Sequence, residues 1–373
     1  MRNKPRIRFK GFTEDWEQRE LSSLTEYIGT GKSRFVINEF GEYAILGSTN
    51  VIGYDDAYDY DGNFILTARV GANAGQLYRY SGKVKITDNT VFLMSDRSQF
   101  IYYTLTHFDL RRLSFGTGQP LVKSSELQKL KLCVSVSKSE QEKIGEIFNN
   151  IDNIITLHQR KLEKLKLAKK ALLQKLFPKN GSQFPEIRFK GFTDAWEQCK
   201  FCDVMRFING RAYKQDELLG AGKYKVLRVG NFYTNDSWYY SNLELDDKYY
   251  AMNGDLLYTW SATFGPHIWK GEKVIYHYHI WKIVLQNNID KLFALQLLEV
   301  DKANIMSDKN GSTMVHITKQ GMEKKQTIIP MNLNEQKQIA KFLSSMDKVI
   351  TLHQCKLDKL QDVKKGLLQK MFV

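Results

Sequence analysis

Proline is scarce in this chain, six residues in 373, and no two prolines are adjacent. Cysteine is scarcer still, at four. Four cysteines in a chain of this length do not make a disulfide framework of the small secreted kind. Cys199-Lys200-Phe201-Cys202 has C-x-x-C spacing, but no second pair exists to complete a zinc site, and no metal site is expected. No apolar run is long enough to cross a bilayer, which takes about 20 residues. The basic N-terminus is not followed by an apolar signal core, so a cytoplasmic protein is expected. Acidic residues are also in deficit, 41 against 55 Lys and Arg, leaving a net charge of +14. An excess of that size predicts a polyanionic partner, nucleic acid ahead of membrane. The plainer alternative is a solvated lysine-rich surface.

Catalytic constellations are missing too. Gly29-Thr30-Gly31-Lys32-Ser33 looks like the end of a phosphate loop, but the first glycine of that motif would fall at Glu26. His277-Tyr278-His279 is expected to put two imidazoles on one strand face, with no Asp or Glu partner in sight. No Ser/His/Asp or paired-carboxylate arrangement is evident, so the chain is expected to be non-catalytic by itself.

What the chain does contain, it contains twice. Pro5-Arg6-Ile7-Arg8-Phe9-Lys10-Gly11-Phe12-Thr13-Glu14-Asp15-Trp16-Glu17-Gln18 returns, nearly unchanged, at residues 185–198. Residues 140–177 return at 335–372. Both of these longer segments read as helices. In the first, Ile144, Phe148, Ile151, Ile155, Leu162, Leu165, Leu172 and Leu176 form a 3/4-spaced apolar stripe, interrupted by His158 and Lys169. In the second, the stripe is Ile339, Leu343, Met346, Ile350, Leu357, Leu360, Leu367 and Met371, interrupted by His353 and Lys364. At 1.5 Å per residue each would reach roughly 55–60 Å. Such a stripe needs a partner, and the other copy is the nearest, which predicts an antiparallel coiled coil. His158 and His353 are expected to pack between the helices.

The stripe accounts for the leucines but not for the polar residues that recur with them. Thr156-Leu157-His158-Gln159 returns as Thr351-Leu352-His353-Gln354. Lys161, Lys164, Lys169, Lys170, Gln174 and Lys175 return as Lys356, Lys359, Lys364, Lys365, Gln369 and Lys370. Recent duplication would explain this, except that the intervening sequences have diverged almost completely. The reading adopted is that both helices meet the same kind of partner, through Gln159, Lys161, Lys164 and Gln174 on one and Gln354, Lys356, Lys359 and Gln369 on the other.

Between the repeats lie two inserts, residues 19–130 and 199–325. Both show short β-type runs such as Phe64-Ile65-Leu66-Thr67, Val84-Lys85-Ile86-Thr87, Leu256-Leu257-Tyr258-Thr259 and Val274-Ile275-Tyr276. Asp61-Gly62-Asn63 and Asn253-Gly254-Asp255 read as turns. Helices are expected near residues 100–112 and 291–305. Sparse matches survive: Ile28 with Ile208, Gly62 with Gly254, Thr67 with Thr259, and Gly116-Thr117 with Gly311-Ser312. One fold carrying two different surfaces is the expectation.

Taken together, the chain resembles the DNA-specificity subunits of type I restriction–modification systems. The resemblance rests on the doubled I-R-F-K-G-F-T-x-x-W-E-Q segment, and on Gly116-Thr117-Gly118-Gln119-Pro120 with its counterpart Asn310-Gly311-Ser312-Thr313. It also rests on the helix starts Glu140-Gln141-x-x-Ile144 and Glu335-Gln336-x-x-Ile339, and the endings Leu172-Leu173-Gln174-Lys175 and Leu367-Leu368-Gln369-Lys370. It covers the whole chain in order. It implies an α+β architecture: target-recognition domains at residues 1–139 and 179–334, separated by antiparallel spacer helices at 140–178 and 335–373, in a pseudo-twofold repeat. Each domain would read one half of an asymmetric bipartite DNA target. The helices would set the gap and dock two modification subunits, and through them restriction subunits. S-adenosylmethionine, ATP and Mg would sit on those partners. Adenine methyltransferases of the partner kind use an Asn-Pro-Pro-aromatic motif, which a chain without adjacent prolines lacks. The competing readings are a coiled-coil scaffold whose β-rich domains bind protein or carbohydrate, and a stand-alone nuclease or methyltransferase.

Major-groove readout favours Arg on guanine, Asn or Gln on adenine, and Ser or Thr on several bases. In the first insert that points to Gly47-Ser48-Thr49-Asn50, and to residues 67–73, where Arg69 and Asn73 lead. In the second it points to Arg228-Val229-Gly230-Asn231 and to residues 259–263, where Ser261 and Thr263 carry hydroxyls. Trp260 is expected in the core. Thr117, Gln119, Lys123, Ser312 and Thr313 are the expected phosphate contacts.

Overall fold

Trp16 and Trp196, the tryptophans of the two repeated lead-ins, are both sealed from solvent. Each donates its indole N–H to a carboxylate at the start of a long helix. Trp16 Nε1 lies 3.2 Å from Glu140 Oε2, and Trp196 Nε1 lies 3.2 Å from Glu335 Oε1. The lead-in arginine completes each clasp: Arg8 Nη2 donates to Glu140 at 2.8 Å and Arg188 Nη2 to Glu335 at 2.9 Å. A carboxylate this buried stays ionised only when paired and hydrogen-bonded. Burial opposes ionisation of Glu140, but bonds from Arg8 and Ser135 overcome it and hold the carboxyl below its ordinary range. The neighbouring glutamines repeat a role as well. Gln141 donates to the Ser135 carbonyl at 2.6 Å, and Gln336 to the Pro330 carbonyl at 2.8 Å. The doubled sequence motif is therefore a doubled clasp, tying a lead-in to a helix start.

The computed structural model describes residues 4–32, 36–114, 120–179, 181–233, 235–261, 263–307 and 317–373. It divides into two compact units: Met1–Arg160 with Gln354–Val373, and Lys161–His353.

In the first unit, β1 (Glu17–Glu20) pairs antiparallel with β8 (Lys131–Val134). Between them run β2 (Tyr27–Thr30), β3 (Tyr43–Leu46), β4 (Val51–Asp55), β5 (Tyr60–Ala68), β6 (Leu77–Ile86) and β7 (Thr90–Met94), then helices α1 (Ser98–Phe108) and α2 (Ser124–Gln128). The six strands form one sheet in the order β2-β7-β5-β6-β3-β4. It curls, because the Lys32 amide beyond β2 bonds to the Ile86 carbonyl at the end of β6. Both faces of the second half of β5, residues 64–68, are covered, which is why Phe64-Ile65-Leu66 reads as a continuous apolar run rather than an alternation. Ile65 faces a core built with α1 and Trp16, while Phe64 and Leu66 pack with Ala44, Val84, Ile86 and Phe92 on the other face. Asp61-Gly62-Asn63, expected as a turn, lies inside β5. Gly62 pairs opposite Gly82, whose φ of 113° only glycine adopts readily, so the glycines bend a strand instead of ending one. Helix α3 (Lys138–Leu176) starts against α1, where a Cβ on Gly145 would stand 2.9 Å from the Phe100 nitrogen.

In the second unit, β9 (Glu197–Lys200) leads into the short helix α4 (Phe201–Val204). The strands that follow are β10 (Met205–Asn209), β11 (Tyr224–Leu227), β12 (Tyr239–Ser241), β13 (Tyr250–Ala251), β14 (Leu256–Thr259), β15 (Gly265–Ile268), β16 (Val274–Tyr276) and β17 (Ile280–Leu285). Helices α5 (Lys291–Ser307) and α6 (Lys319–Lys324), strand β18 (Gln326–Ile329) and helix α7 (Leu333–Met371) complete the order. The strands form two sheets, β10-β17-β14-β15 and β12-β11-β16-β13. This is the first unit's topology with two breaks. β13 and β14 together stand for β5, and β15 and β16 together stand for β6. The turn at Asn253-Gly254-Asp255 makes the break in the first of these. The parallel β3–β6 pairing has its counterpart in β11–β16.

The helical stripe is as the periodicity predicts: all sixteen of its residues are buried or half-buried. Within the first unit, Lys364 meets Asp152 at 2.6 Å, and Phe372 packs against Phe148. Within the second, Lys169 meets Asp347 at 2.5 Å, and Leu176 and Phe177 share a core with Ile339 and Leu343. In each unit the α3 number rises as the α7 number falls, so the segments run antiparallel. Lys169 and Lys364, which interrupt the stripe in the sequence, are turned to the facing helix. They are half-buried and tie helix to helix through the two repeated aspartates. Tyr103 of α1 and Gln296 of α5 bind those same aspartates, at 2.7 and 3.3 Å. His353 is buried and His158 half-buried.

Candidate nucleic-acid interface

The connections that follow β3, β5 and β6 meet at one place in the first unit. Ser48 Oγ donates to the Asn89 carbonyl at 3.3 Å, and the Arg69 amide donates to the same carbonyl at 2.8 Å. The Val122 amide bonds to the Arg69 carbonyl at 2.8 Å, which brings the segment carrying Lys123 alongside. Thr49, Asn50, Arg69, Asn73 and Lys123 are exposed, and Ser48 is half-buried. The Arg69 guanidinium has no hydrogen-bonding or ionic partner among the described residues, whereas Lys123 lies 3.4 Å from Glu126. Gly47, Ser48, Thr49 and the turn Thr87-Asp88-Asn89 line a cleft of about 460 Å³. Asn89 holds this cluster together and was not singled out from the sequence. The run Thr87-Asp88-Asn89-Thr90 between two apolar strands is the turn signal that could have found it.

In the glycine-rich run before this site, the described amides turn to neighbouring strands. The Gly31 and Lys32 amides bond to the Thr90 and Ile86 carbonyls, and Lys32 pairs with Asp59 at 3.1 Å. Amides spent on strand pairing are unavailable to a phosphate.

The second unit assembles the equivalent connections. The His277 amide donates to the Leu227 carbonyl at 2.9 Å, the Trp260 amide to the His279 carbonyl at 3.1 Å, and the Tyr278 amide to the Arg211 carbonyl at 3.0 Å. His277-Tyr278-His279, expected on a strand face, is instead the turn between β16 and β17, because both flanking strands stop there to change sheets. Burial, with His279 and Arg228 nearby, pushes the His277 imidazole down to about 4, so it is neutral at pH 7. Tyr278 stands exposed beside it. Trp260 packs: it stacks on Trp281 at 5.8 Å and gives its N–H to the Tyr278 carbonyl at 2.9 Å. Thr263 is exposed and Ser261 half-buried.

Arg228 and Asn231 are more committed than Arg69. The Arg228 guanidinium lies 4.3 Å from the Tyr239 ring centroid and donates to the Ser237 carbonyl at 3.1 Å. The Asn231 side chain accepts from the Arg228 amide at 3.0 Å and donates to the Asn235 and Ser237 carbonyls, each at 3.0 Å. Its hydrogen-bonding capacity is largely used in shaping the loop. Arg211 is also occupied, held by Glu217 in a two-pronged pair at 2.7 and 2.8 Å. Thr117, Gln119, Ser312 and Thr313 lie outside the described residues.

On the helices, Gln159, Lys161, Lys164, Gln174, Lys356, Lys359 and Gln369 are exposed. Gln354 is half-buried and bonds to Asp358 at 2.9 Å. Among the described residues no cluster of His, Cys, Asp and Glu could hold a metal ion, and no helix is long and apolar enough to cross a membrane.

One frame used twice, with unlike loops at the same place in each copy, defines a two-headed recognition protein. The type I restriction modification DNA specificity domain matches the chain twice, at residues 13–167 and 193–362, and the chain belongs to that family. Membership gives it a DNA-recognition role in a type I restriction–modification system, and the specificity subunits of these systems are non-catalytic. It is 24% identical to the type I restriction enzyme MjaVIII specificity subunit of Methanocaldococcus jannaschii, over 95% of this chain and 91% of that one. Its fold is similar to the crystallised type I S subunit of M. genitalium, with a TM-score of 0.70 at 17% identity and 99% of each chain covered. A chain from a structural study of type I complex assembly and conformational transition matches at a TM-score of 0.55, 12% identity, over 96% of this chain and 97% of that one.

Proposed function

We propose that each unit presents its loop cluster to one half of an asymmetric, bipartite DNA target, and that the long helices fix the unread gap. The observation that carries this reading is the pair of equivalent loop clusters with different side chains. Strand order and loop placement are shared, while Ser48, Thr49, Asn50, Arg69 and Asn73 in one copy correspond to Arg228, Ser261 and Thr263 in the other. Unlike heads on like frames read unlike half-sites. Arg69, exposed and unpaired, is the leading base reader. Asn231 acts by holding the loop that carries Arg228. Thr117, Gln119, Lys123, Ser312 and Thr313 supply phosphate contacts.

Two modification subunits dock on the recurrent exposed residues Gln159, Lys161, Lys164 and Gln174 and on Gln354, Lys356, Lys359 and Gln369, and restriction subunits join through them. S-adenosylmethionine, ATP and Mg belong to those subunits, and the assembled complex methylates adenine and cleaves DNA in the cytoplasm. The recognition domains are residues 1–139 and 179–334, with spacer helices at 140–178 and 335–373. The test is methylation mapping of DNA from a host carrying this chain with its modification subunit. A two-part motif with a constant gap is expected, and a single continuous motif would overturn the reading.

A further inference from the structure

We infer that the first unit carries a docking cavity for an acidic peptide segment with one large apolar residue, and that the second unit has no counterpart. This goes beyond DNA recognition, and it concerns a different part of the first unit from the loop cluster.

The cavity holds about 1060 Å³ and is lined by the lead-in, α1, β1, β8 and the last residues of the chain. Its floor is apolar: Phe108 is half-buried, and Leu132 and Phe372 show only a few per cent of their surface. Its rim is cationic. Arg6 of the lead-in, Arg112 beyond α1 and Lys131 of β8 are all exposed, and none is held in a salt bridge among the described residues, Arg112 acting on Asp109 only at longer range. Lys4 is balanced by Asp15 at 2.8 Å, and Glu17 by Arg19 at 2.9 Å, so the acidic lining does not neutralise the three free cations. Three unpaired cations from three elements, converging on an apolar floor, match carboxylates flanking a hydrophobic anchor. A duplex backbone offers phosphates but no side chain to fill such a floor, which favours the peptide.

The second unit is a built-in comparison. Its clasp, tryptophan and terminal phenylalanine are the same, yet Arg6 is replaced by Glu186, Lys131 by Gln326 and Leu132 by Thr327. Glu186 is itself tied to Lys175 at 2.5 Å. The frame was kept while one cation became an anion, another became neutral and one floor leucine became threonine, so frame maintenance does not explain the cations. Among the described residues, the second unit keeps the frame without these cations.

The test uses the full chain and a fluorescein-labelled peptide, Asp-Glu-Asp-Phe-Glu-Asp-Glu, followed by anisotropy. Saturable binding of one peptide per chain is expected. Binding should weaken at least tenfold in the combined Arg6→Glu, Arg112→Glu, Lys131→Glu variant, and comparably for a peptide with serine in place of phenylalanine. A charge-matched control, Lys200→Glu, Lys337→Glu, Lys341→Glu, should bind as the parent does. Arg6→Glu alone copies what the second unit already has at that position, so it should fold normally and lose affinity severalfold. Equal losses in the cavity and control variants would reduce the effect to bulk charge and overturn the proposal. So would two peptides per chain, or indifference to the phenylalanine. Displacement of the peptide by a target-free duplex, with duplex affinity lost only in the cavity variant, would assign the rim to DNA instead.

Discussion

Glu140 shows what a single residue does in this frame. Its carboxylate is fully buried and meets Arg8, Trp16 and Ser135. Arg8→Met removes the charge partner and leaves the carboxylate stranded, a change that costs about 3–5 kcal/mol. The pH dependence has a definite sign. In the parent the folded carboxyl titrates below its unfolded value, so the clasp contributes fully above the unfolded range and is lost as pH falls through the folded value. In Arg8→Met only desolvation and weaker bonds remain, and the folded value rises. The stability gap between the two proteins should therefore narrow from pH 7 to pH 4 in thermal melts, and a constant gap would refute the account. Arg69→Ala makes a contrasting prediction. With no partner to lose, it should leave stability within about 0.5 kcal/mol and cost roughly 1–3 kcal/mol of affinity for one half-site. Filter binding that showed undiminished sequence preference would remove Arg69 from the reader set. Asn231→Ala should do the reverse of a reader: it frees the Arg228 amide and two loop carbonyls, costing about 1 kcal/mol of stability.

At the scale of elements, periodicity was the reliable guide and punctuation was not. The long helices were legible because an apolar stripe sustained over about nine turns has no other use, and Glu140-Gln141 marked the start of the first to within two residues of Lys138. The glycine at position 62 misled because a glycine inside a strand and a glycine in a turn look alike until the partner strand is known; Gly82 decides it. His277-Tyr278-His279 misled because β-type residues flank it on both sides, and only the change of sheet exposes it as a turn. The lysines at 169 and 364 were legible as repeats but not as partners of Asp152 and Asp347, since those contacts join residues far apart in sequence. A direct consequence concerns the chain's last helix segment. Met371 and Phe372 belong to the first unit's core, so removing residues 354–373 should expose the first unit to limited proteolysis while residues 161–353 resist. The milder Phe372→Ala should cost about 3–5 kcal/mol, read as a lowered melting transition of the first unit.

For the whole molecule, the surplus of 14 positive charges bears on how tightly DNA is held rather than on which DNA is chosen. Should the assembled complex neutralise six to ten phosphates, affinity should fall roughly 10³–10⁵-fold between 50 and 200 mM salt. Discrimination between the cognate and a mutated half-site should change far less. A salt titration on both duplexes checks this, and parallel collapse of affinity and discrimination would mean that the loops read nothing. The sequence made the doubling plain, including Arg6 against Glu186, but left hidden that Lys131 and Gln326 stand beside those positions, because that emerges only when β1–β8 and β9–β18 are set in register.

The first unit is stitched from two separate stretches, Met1–Arg160 and Gln354–Val373, whereas the second is one uninterrupted stretch, Lys161–His353. On the ribosome the later-numbered head can therefore mature as soon as residue 353 has emerged. The earlier-numbered head waits, with Phe148 and Trp16 unsheltered, until residues 354–373 have been translated. Birth order and folding order are inverted, and a chain stopped shortly after residue 353 should hold the second unit complete and the first without residues 354–373.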